Sequence, residues 1–502
     1  GLGGGGGVRV SVSAAGRAAL AGLVALGPAV PRLAAAPAPS RLQRALDAIV
    51  DAPRFGQAWW GVEVRSLRTG RVLYGRNPQR NVKPASTLKL VTTAAALDAF
   101  GPEARLRTTV ESVGRLDGRG RILGDLYLVG RGDPQLSGRS PDGRPTEGSP
   151  TAAFEEMAQS LRQAGVRRVE GRVVGHEGLF PGDRRGEDWS WGDLVWGYGA
   201  EVSALSFNDN VATLTVSPGE REGDPVMVER TPATSYHAVV STAVTGGSGG
   251  GRDLVLRREL GTNVVLLSGS LPAGSAAQVL SVAVEDPARY AATVFAEVLA
   301  AKGIAVTGGV DTSIEPLPAG ARVLAAHESP PMAEIVKVVN KVSQNLHAEM
   351  LLRLLGAQVK ADGSAEGGRA ALDDVLDRLK VRAESWVVQD GSGLSRSDLV
   401  TPQGMVDLLL AMDRHPHAAA FRASLALAGE DGTLASRLAA PPARGRVSAK
   451  TGSIRHVNAL AGYVTARSGE RLAFYVAVNH HTGPASESVA AIDAIVSVLA
   501  SQ

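Results

Sequence analysis

The chain has 502 residues, 44% hydrophobic and 21% charged, which is too long for one core and suits a globular protein of two or three domains. The net charge is only +3, the arginines are dispersed and aromatics make up 4%, a balance that argues against a nucleic-acid partner. The absence of cysteine excludes disulfides and thiolate metal sites.

Arg9 and Arg17 precede an apolar stretch from Ala18 to Val30, and small residues follow at Ala34-Ala35-Ala36. That is the layout of a secretory leader, expected over residues 1–38. Pro28 and Pro31 break the stretch, so a membrane span is not expected, although a loose membrane or cell-wall association stays open. Ser40 then caps an expected helix with apolar positions at Leu42, Leu46, Ile49 and Val50. Trp60 to Val64 and Arg71 to Tyr74 read as strands around a Thr69-Gly70 turn.

Next comes Ser86-Thr87-Leu88-Lys89. Pro84 stands before it, apolar residues follow from Leu88 to Leu97, and Gly101-Pro102 closes a predicted helix. Residues three apart share a helix face, so Ser86 and Lys89 should meet at its buried first turn. A serine needs a base to become a nucleophile. Lysine is scarce, 8 residues against 45 arginines, and no other lysine has a serine three positions before it. A core-facing lysine carries a desolvation cost, and unlike arginine it can lose its proton.

From about residue 105 to 325 short alternating segments dominate, such as Val211 to Val216, Ala238 to Ala243, Val264 to Leu267 and Val279 to Val284. They predict a β-rich insertion, in two lobes, over residues 108–328. A helix from Pro287 to Lys302, capped by Asp286, leads back. Ser343-Gln344-Asn345 opens a further helical stretch. Lys450-Thr451-Gly452-Ser453 stands at a predicted strand start, before a hairpin of Ala459 to Thr465 and Leu472 to Val478. An amphipathic helix with Ile492, Ile495, Val496 and Leu499 ends the chain.

The order S-x-x-K, S-x-N, K-T-G is the signature set of serine penicillin-interacting enzymes. With Tyr198-Gly199-Ala200, the run Val202 to Asn210, Gly130 to Pro134 and Asp390 to Arg396, it resembles the class C low-molecular-mass penicillin-binding proteins (the penicillin-binding protein 4 family) over about residues 40 to 502. The 257 positions from Ser86 to Ser343 match that family's large insertion. The resemblance implies an α/β (α+β) transpeptidase-like domain, residues 39–107 and 329–502, interrupted by the insertion. It implies a D-Ala-D-Ala carboxypeptidase or endopeptidase acting on peptidoglycan stem peptides, with β-lactam antibiotics as covalent inhibitors. It also implies action in the periplasm or on the extracytoplasmic face of a bacterial envelope, and no metal or other cofactor.

Under that resemblance Ser86 attacks and Lys89 is the best candidate for its base, its pKa lowered by burial and by the neighbouring Lys450. Ser343 and Lys450 resemble the pair that passes a proton to the leaving amine, and Asn345 resembles the residue that bonds substrate and Lys89. Thr451, Gly452 and Ser453 belong to the substrate-binding strand, with Lys450 and Thr451 drawing the terminal carboxylate. The backbone N–H groups of Ser86 and Ser453 would form the oxyanion hole. Arg396 either meets an anionic group of the stem peptide or is an exposed loop arginine. His347 and Glu349 read as packing and surface residues, and Arg131-Gly132-Asp133 as a loop at a Gly-Asp-Pro turn rather than an adhesion site. Two other functions remain open: a serine β-lactamase, although no E-x-x-L-N segment lies between 345 and 450, and a non-catalytic cell-wall scaffold.

Overall fold

The computed structural model describes residues 40–137, 148–381 and 383–502. The expected leader lies outside the described residues. The first helix, Arg41–Val50, buries Leu46 and Val50 as its periodicity predicts.

The scaffold of the site is a six-stranded sheet. Its order is Val72–Arg76, Trp59–Ser66, Arg471–Asn479, Val457–Thr465, Val447–Ile454 and Ala426–Leu427. Every neighbouring pair is antiparallel. Its middle strands read as unbroken apolar runs rather than as alternating ones because both faces are covered. On one face Leu460, Phe474, Val476 and Val478 pack against Ile492, Ile495, Val496 and Leu499 of the C-terminal helix Ala485–Ala500 and against Leu46 and Val50. On the other, Ala459, Ala461, Ala473, Tyr475 and Ala477 share a core with the helices Lys89–Phe100, Asn345–Val359, Ala365–Arg378 and Pro402–Arg414. The Pro402–Arg414 helix lies close against this face, where a Cβ on Gly61 would lie 2.9 Å from Pro402 Cγ.

The Lys89–Phe100 helix is buried around its whole circumference from Lys89 to Leu97, so its sequence shows no polar stripe. It ends at Gly101, whose φ of 75° suits the glycine. The Asp286 side chain caps the helix Pro287–Ala301 by accepting the Arg289 N–H, as its sequence suggests.

Between residues 107 and 328 the chain builds further sheets. A five-stranded mixed sheet runs in the order Val310–Ser313, Val173–His176, Leu126–Val129, Arg107–Ser112 and Arg322–Glu328. The helices Ala152–Gln163 and Pro287–Ala301 share its core, built on Phe154, Phe207, Tyr290 and Phe295. A separate small core of Leu214, Val216, Val265, Leu267, Leu271 and Val282 joins two three-stranded sheets. The helix Ala152–Gln163 is not apparent in the strand-and-turn character of this region.

Leu460 is fully buried in the middle of the main sheet. Leu460→Ala should cost about 3 kcal/mol. Urea unfolding should show this as a lower midpoint with an unchanged slope.

Candidate active site

The nucleophile turn is a short 3-10 segment, Ala85–Leu88, that runs straight into the Lys89–Phe100 helix. Ser86 and Lys89 therefore stack one turn apart, and Lys89 Nζ lies 2.9 Å from Ser86 Oγ. Nζ also donates to Asn345 Oδ1 at 2.6 Å and to the Ser392 carbonyl at 2.7 Å. Asn345 is held in that orientation from its other end, where Nδ2 donates to the Tyr198 carbonyl at 2.7 Å. Lys450 Nζ reaches Ser343 Oγ at 2.8 Å and the Thr451 carbonyl at 2.7 Å. Ser86, Lys89, Ser343, Asn345 and Lys450, drawn from three distant parts of the sequence, thus converge.

The backbone bends that allow this are uncommon for non-glycine residues. Ala85 has φ 47° just before the nucleophile, and Ser343 has φ 68° where the chain turns into the Asn345–Val359 helix. Lys450 sits inside the strand Val447–Ile454, three residues beyond its start, rather than at the strand start expected from sequence. The short partner strand Ala426–Leu427 pairs only with Ser448 and Ala449. Among the described residues, the edge from Thr451 to Ile454 has no second partner strand and borders the cleft.

Close approach explains the glycine of K-T-G. A Cβ on Gly452 would lie 2.7 Å from the Pro84 carbonyl oxygen and 3.2 Å from the Ser86 nitrogen. The strand and the nucleophile turn are in contact there, and the N–H of Ser86 lies beside the strand edge.

Electrostatics separate the two lysines from ordinary ones. Burial lowers Lys89 to about 8, against the opposing pull of Asp390, Glu349 and Asp398. Burial and then the nearby Lys89 push Lys450 well below the usual amine range. Burial is the leading cause at Lys89, as expected from sequence, and the mutual repulsion of the two amines further disfavours both being charged at once. The neighbours also orient the neutral amine. Asn345 Oδ1 and the Ser392 carbonyl are acceptors only, so a neutral Nζ must use its two hydrogens on them. Its lone pair then faces the Ser86 hydroxyl, the sole neighbour of the three that can donate.

A cleft of about 590 Å³ opens over this cluster. Ser86, Ser343, Asn345, Ser453, Arg396 and Arg455 are among the residues lining it, and Ser190, Asp193 and Tyr198 come from the region between the first two motifs. Arg396 is neither free nor simply exposed: it pairs with Asp193 at 3.0 Å, at the cleft wall. Thr451 turns its hydroxyl to Thr433 at 2.8 Å, and Ser453 Oγ accepts from Asn458 across the strand pair. Positive charge at the open cleft comes from Arg396 and Arg455, whereas Lys450 is fully buried.

Glu349 corrects the sequence reading. It is buried, 5% exposed, and accepts the Gly391 N–H behind Lys89. His347 is also buried and pairs with Asp209 at 2.9 Å, away from the nucleophile. Asp133 of the Arg-Gly-Asp tripeptide is 1% exposed and Arg131 is paired with Glu111, so the tripeptide is not presented to a partner. Asp193, the Tyr198 carbonyl, Glu349 and Asp390 are contributors whose roles the motifs do not reveal. The glycine-rich run Asp390-Gly391-Ser392-Gly393 carries a signal for the last of them.

Residues 42–502 match the model of the D-Ala-D-Ala carboxypeptidase 3 (S13) family. The chain belongs to this family. It is 37% identical over 464 residues to a D-alanyl-D-alanine carboxypeptidase of Actinomadura sp. (strain R39), covering 90% of this chain and 83% of that one. It is 27% identical over 429 residues to the D-alanyl-D-alanine carboxypeptidase DacB of Haemophilus influenzae, covering 84% and 85%. The crystal structure of penicillin binding protein 4 (dacB) from that organism superposes with a TM-score of 0.79 at 25% identity, covering 91% of this chain and 99% of that chain. The fold is accordingly that of the penicillin-binding protein 4 type, and the enzyme is a serine-type D-Ala-D-Ala carboxypeptidase, a hydrolase.

Gly452→Ala should push the strand from the nucleophile turn and lower the rate of acylation by about 10²-fold, with little change in melting temperature. Stopped-flow kinetics with a chromogenic cephalosporin would measure it.

Proposed function

We propose that the enzyme cleaves the D-Ala-D-Ala bond, or the equivalent cross-link bond, of peptidoglycan stem peptides through an acyl-enzyme on Ser86. The observation that carries this reading is the buried Lys89 amine bonded to Ser86, Asn345 and Ser392. Neutral Lys89 takes the hydroxyl proton as Oγ attacks the carbonyl carbon of the penultimate D-alanine. The oxyanion forms between the N–H groups of Ser86 and Ser453, a contribution of about 3 kcal/mol per donor. Ser343, bonded to Lys450, then passes its hydroxyl proton to the departing amine of the terminal D-alanine, and the proton that Lys89 took from Ser86 makes good the loss. Neutral Lys89 next takes a proton from water as it attacks the ester carbonyl and returns that proton to Oγ, so the shortened peptide leaves as its carboxylic acid and Ser86 is restored.

The substrate extends along the open strand edge at Thr451, Gly452 and Ser453, which suits backbone pairing of a linear peptide. Its terminal carboxylate is drawn to that edge, where Arg455 adds positive charge. Arg396, held by Asp193, offers a fixed guanidinium to an anionic group of the stem peptide. β-Lactams acylate the same serine; a structure of the Haemophilus protein complexed with a β-lactam has the same fold as this chain, at a TM-score of 0.73. Residues 108–328 act as an insertion that walls one side of the cleft.

Such a substrate lies outside the cytoplasm, which fits export by residues 1–38 to the periplasm or the extracytoplasmic face. Among the described residues no helix is long and apolar enough to cross a membrane.

Intact-protein mass spectrometry after incubation with penicillin should show one added acyl group on the peptide containing Ser86, persisting for minutes; rapid loss of the adduct would favour a β-lactamase instead. Ser86→Ala should bind no penicillin covalently and release D-alanine at a rate lower by about 10⁴-fold or more. Because only the neutral amine accepts a proton, acylation should rise with pH to a plateau through a midpoint near 8, following Lys89. A flat profile from about pH 6 to 10 would exclude Lys89 as the base.

A further inference from the structure

Behind the loop that holds Lys89 lies a second cavity, of about 720 Å³. It shares no lining residue with the cleft. The Asp390–Ser395 loop serves both, with Asp390 on the rear cavity and Gly393 and Leu394 on the cleft. Glu349 lines the rear cavity too, one turn beyond Asn345 on the same helix.

Glu349 is tied to the reacting amine by a short path. Its two carboxylate oxygens accept the Gly391 N–H at 3.1 and 3.0 Å. The Gly391 carbonyl accepts from Thr92 Oγ1 at 2.7 Å, and the next carbonyl, that of Ser392, accepts from Lys89 Nζ at 2.7 Å. Asp390 organises the rest of the loop by accepting the N–H groups of Ser392, Gly393 and Ser395 and the Trp189 indole N–H. Removing the Glu349 contact would leave the Gly391 N–H unpaired and loosen the loop just before the Ser392 carbonyl on which the amine rests, leaving Asp390 to hold the Gly393 N–H alone.

We propose that Glu349 is a positioning residue for acylation: it anchors the Gly391–Ser392 segment that holds Lys89, and it exchanges a proton with solvent in the rear cavity, so that the charge behind Lys89 is set from outside the cleft. This rests on Lys89 being the acylation base. Burial first, and Asp390 second, push the Glu349 carboxyl up to about 7, so it changes charge just below the range in which Lys89 does.

The groups around Glu349 come from several elements. Arg353 faces it from its own helix and favours its ionised form, and Lys89 faces it from the nucleophile helix. Asp390 opposes its ionisation from the loop, with Asp398 beyond it beside Asp390. Glu366 and Arg369, an ion pair from the Ala365–Arg378 helix, line the cavity. Asp183, Arg184, Arg185 and Glu187 line it from the opposite wall, where Arg184 and Arg185 are paired with other carboxylates. The Arg353 guanidinium is occupied by the carbonyls of Pro181 and Asp183.

An ionised Glu349 favours protonated Lys89 and so delays its deprotonation as pH rises. In the full chain, Glu349→Gln should move the midpoint of the acylation profile with a chromogenic cephalosporin down by about one pH unit. Glu349→Asp keeps the charge but shortens the reach to Gly391, so its midpoint should stay in place while the plateau rate falls about tenfold. A folded Glu349→Gln variant with the wild-type midpoint overturns the proposal. If that variant does not fold, a Glu349→Asp variant with an unchanged plateau or a shifted midpoint overturns it. Lys89→Gln distinguishes the underlying reading. Retained wild-type acylation there would remove Lys89 as base, whereas a dead Lys89→Gln variant beside an unmoved Glu349→Gln profile defeats only the role of Glu349.

Discussion

One buried amine organises the site. Lys89 Nζ has no access to water, and its three hydrogen-bond partners come from the nucleophile turn, from the start of the Asn345 helix and from the Asp390 loop. Removing an amine from water is unfavourable unless its bonds are replaced. The replacement here draws together segments separated by 256 and 303 positions, so cleft geometry and amine solvation are one constraint. The left-handed turns at Ala85 and Ser343 make sense on these terms. They are local strain held by the partners that the buried nitrogen demands. Gly393 is packed by the same closure, since a Cβ there would lie 2.0 Å from the Ala85 carbonyl oxygen.

The region between the first two motifs takes part in this arrangement. The Tyr198 carbonyl fixes the Asn345 amide, Asp193 fixes Arg396, and Asp209 grips His347 on the helix that Asn345 begins. Each contact crosses from that region to the elements that carry the motifs. Catalytic geometry therefore depends on packing between parts of the chain that, by sequence, look like separate pieces.

Much of the site is legible from residue spacing, and the reasons for what is not are physical. Ser86 and Lys89 can be paired because three positions on a helix is a local relation. The hairpin of residues 457 to 479 can be read because a Ser-Gly turn between apolar runs is also local. Glu349 misleads because a glutamate carries no mark of burial in its own neighbourhood. Only the arrival of Gly391, 42 positions away, turns it inward. The lowering of Lys89 is legible because burial at the first turn of a core helix disfavours a charged amine, whereas the three carboxylates that oppose it are hidden, since none is close in sequence. The strand character of residues 105 to 325 masks the helix Ala152–Gln163, whose polar outer face resembles the loops around it.

The pairing of Trp59–Ser66 with Arg471–Asn479 has a consequence for how the molecule comes into being. These two neighbours in the main sheet are separated by about 400 positions of sequence, so the first is made long before the second. A nascent chain carries its serine before the strand Arg471–Asn479, and so lacks the complete sheet that would shelter it until that strand emerges. The enzyme is thus silent by construction while it is being made, and any chain cut short before Arg471 would remain so.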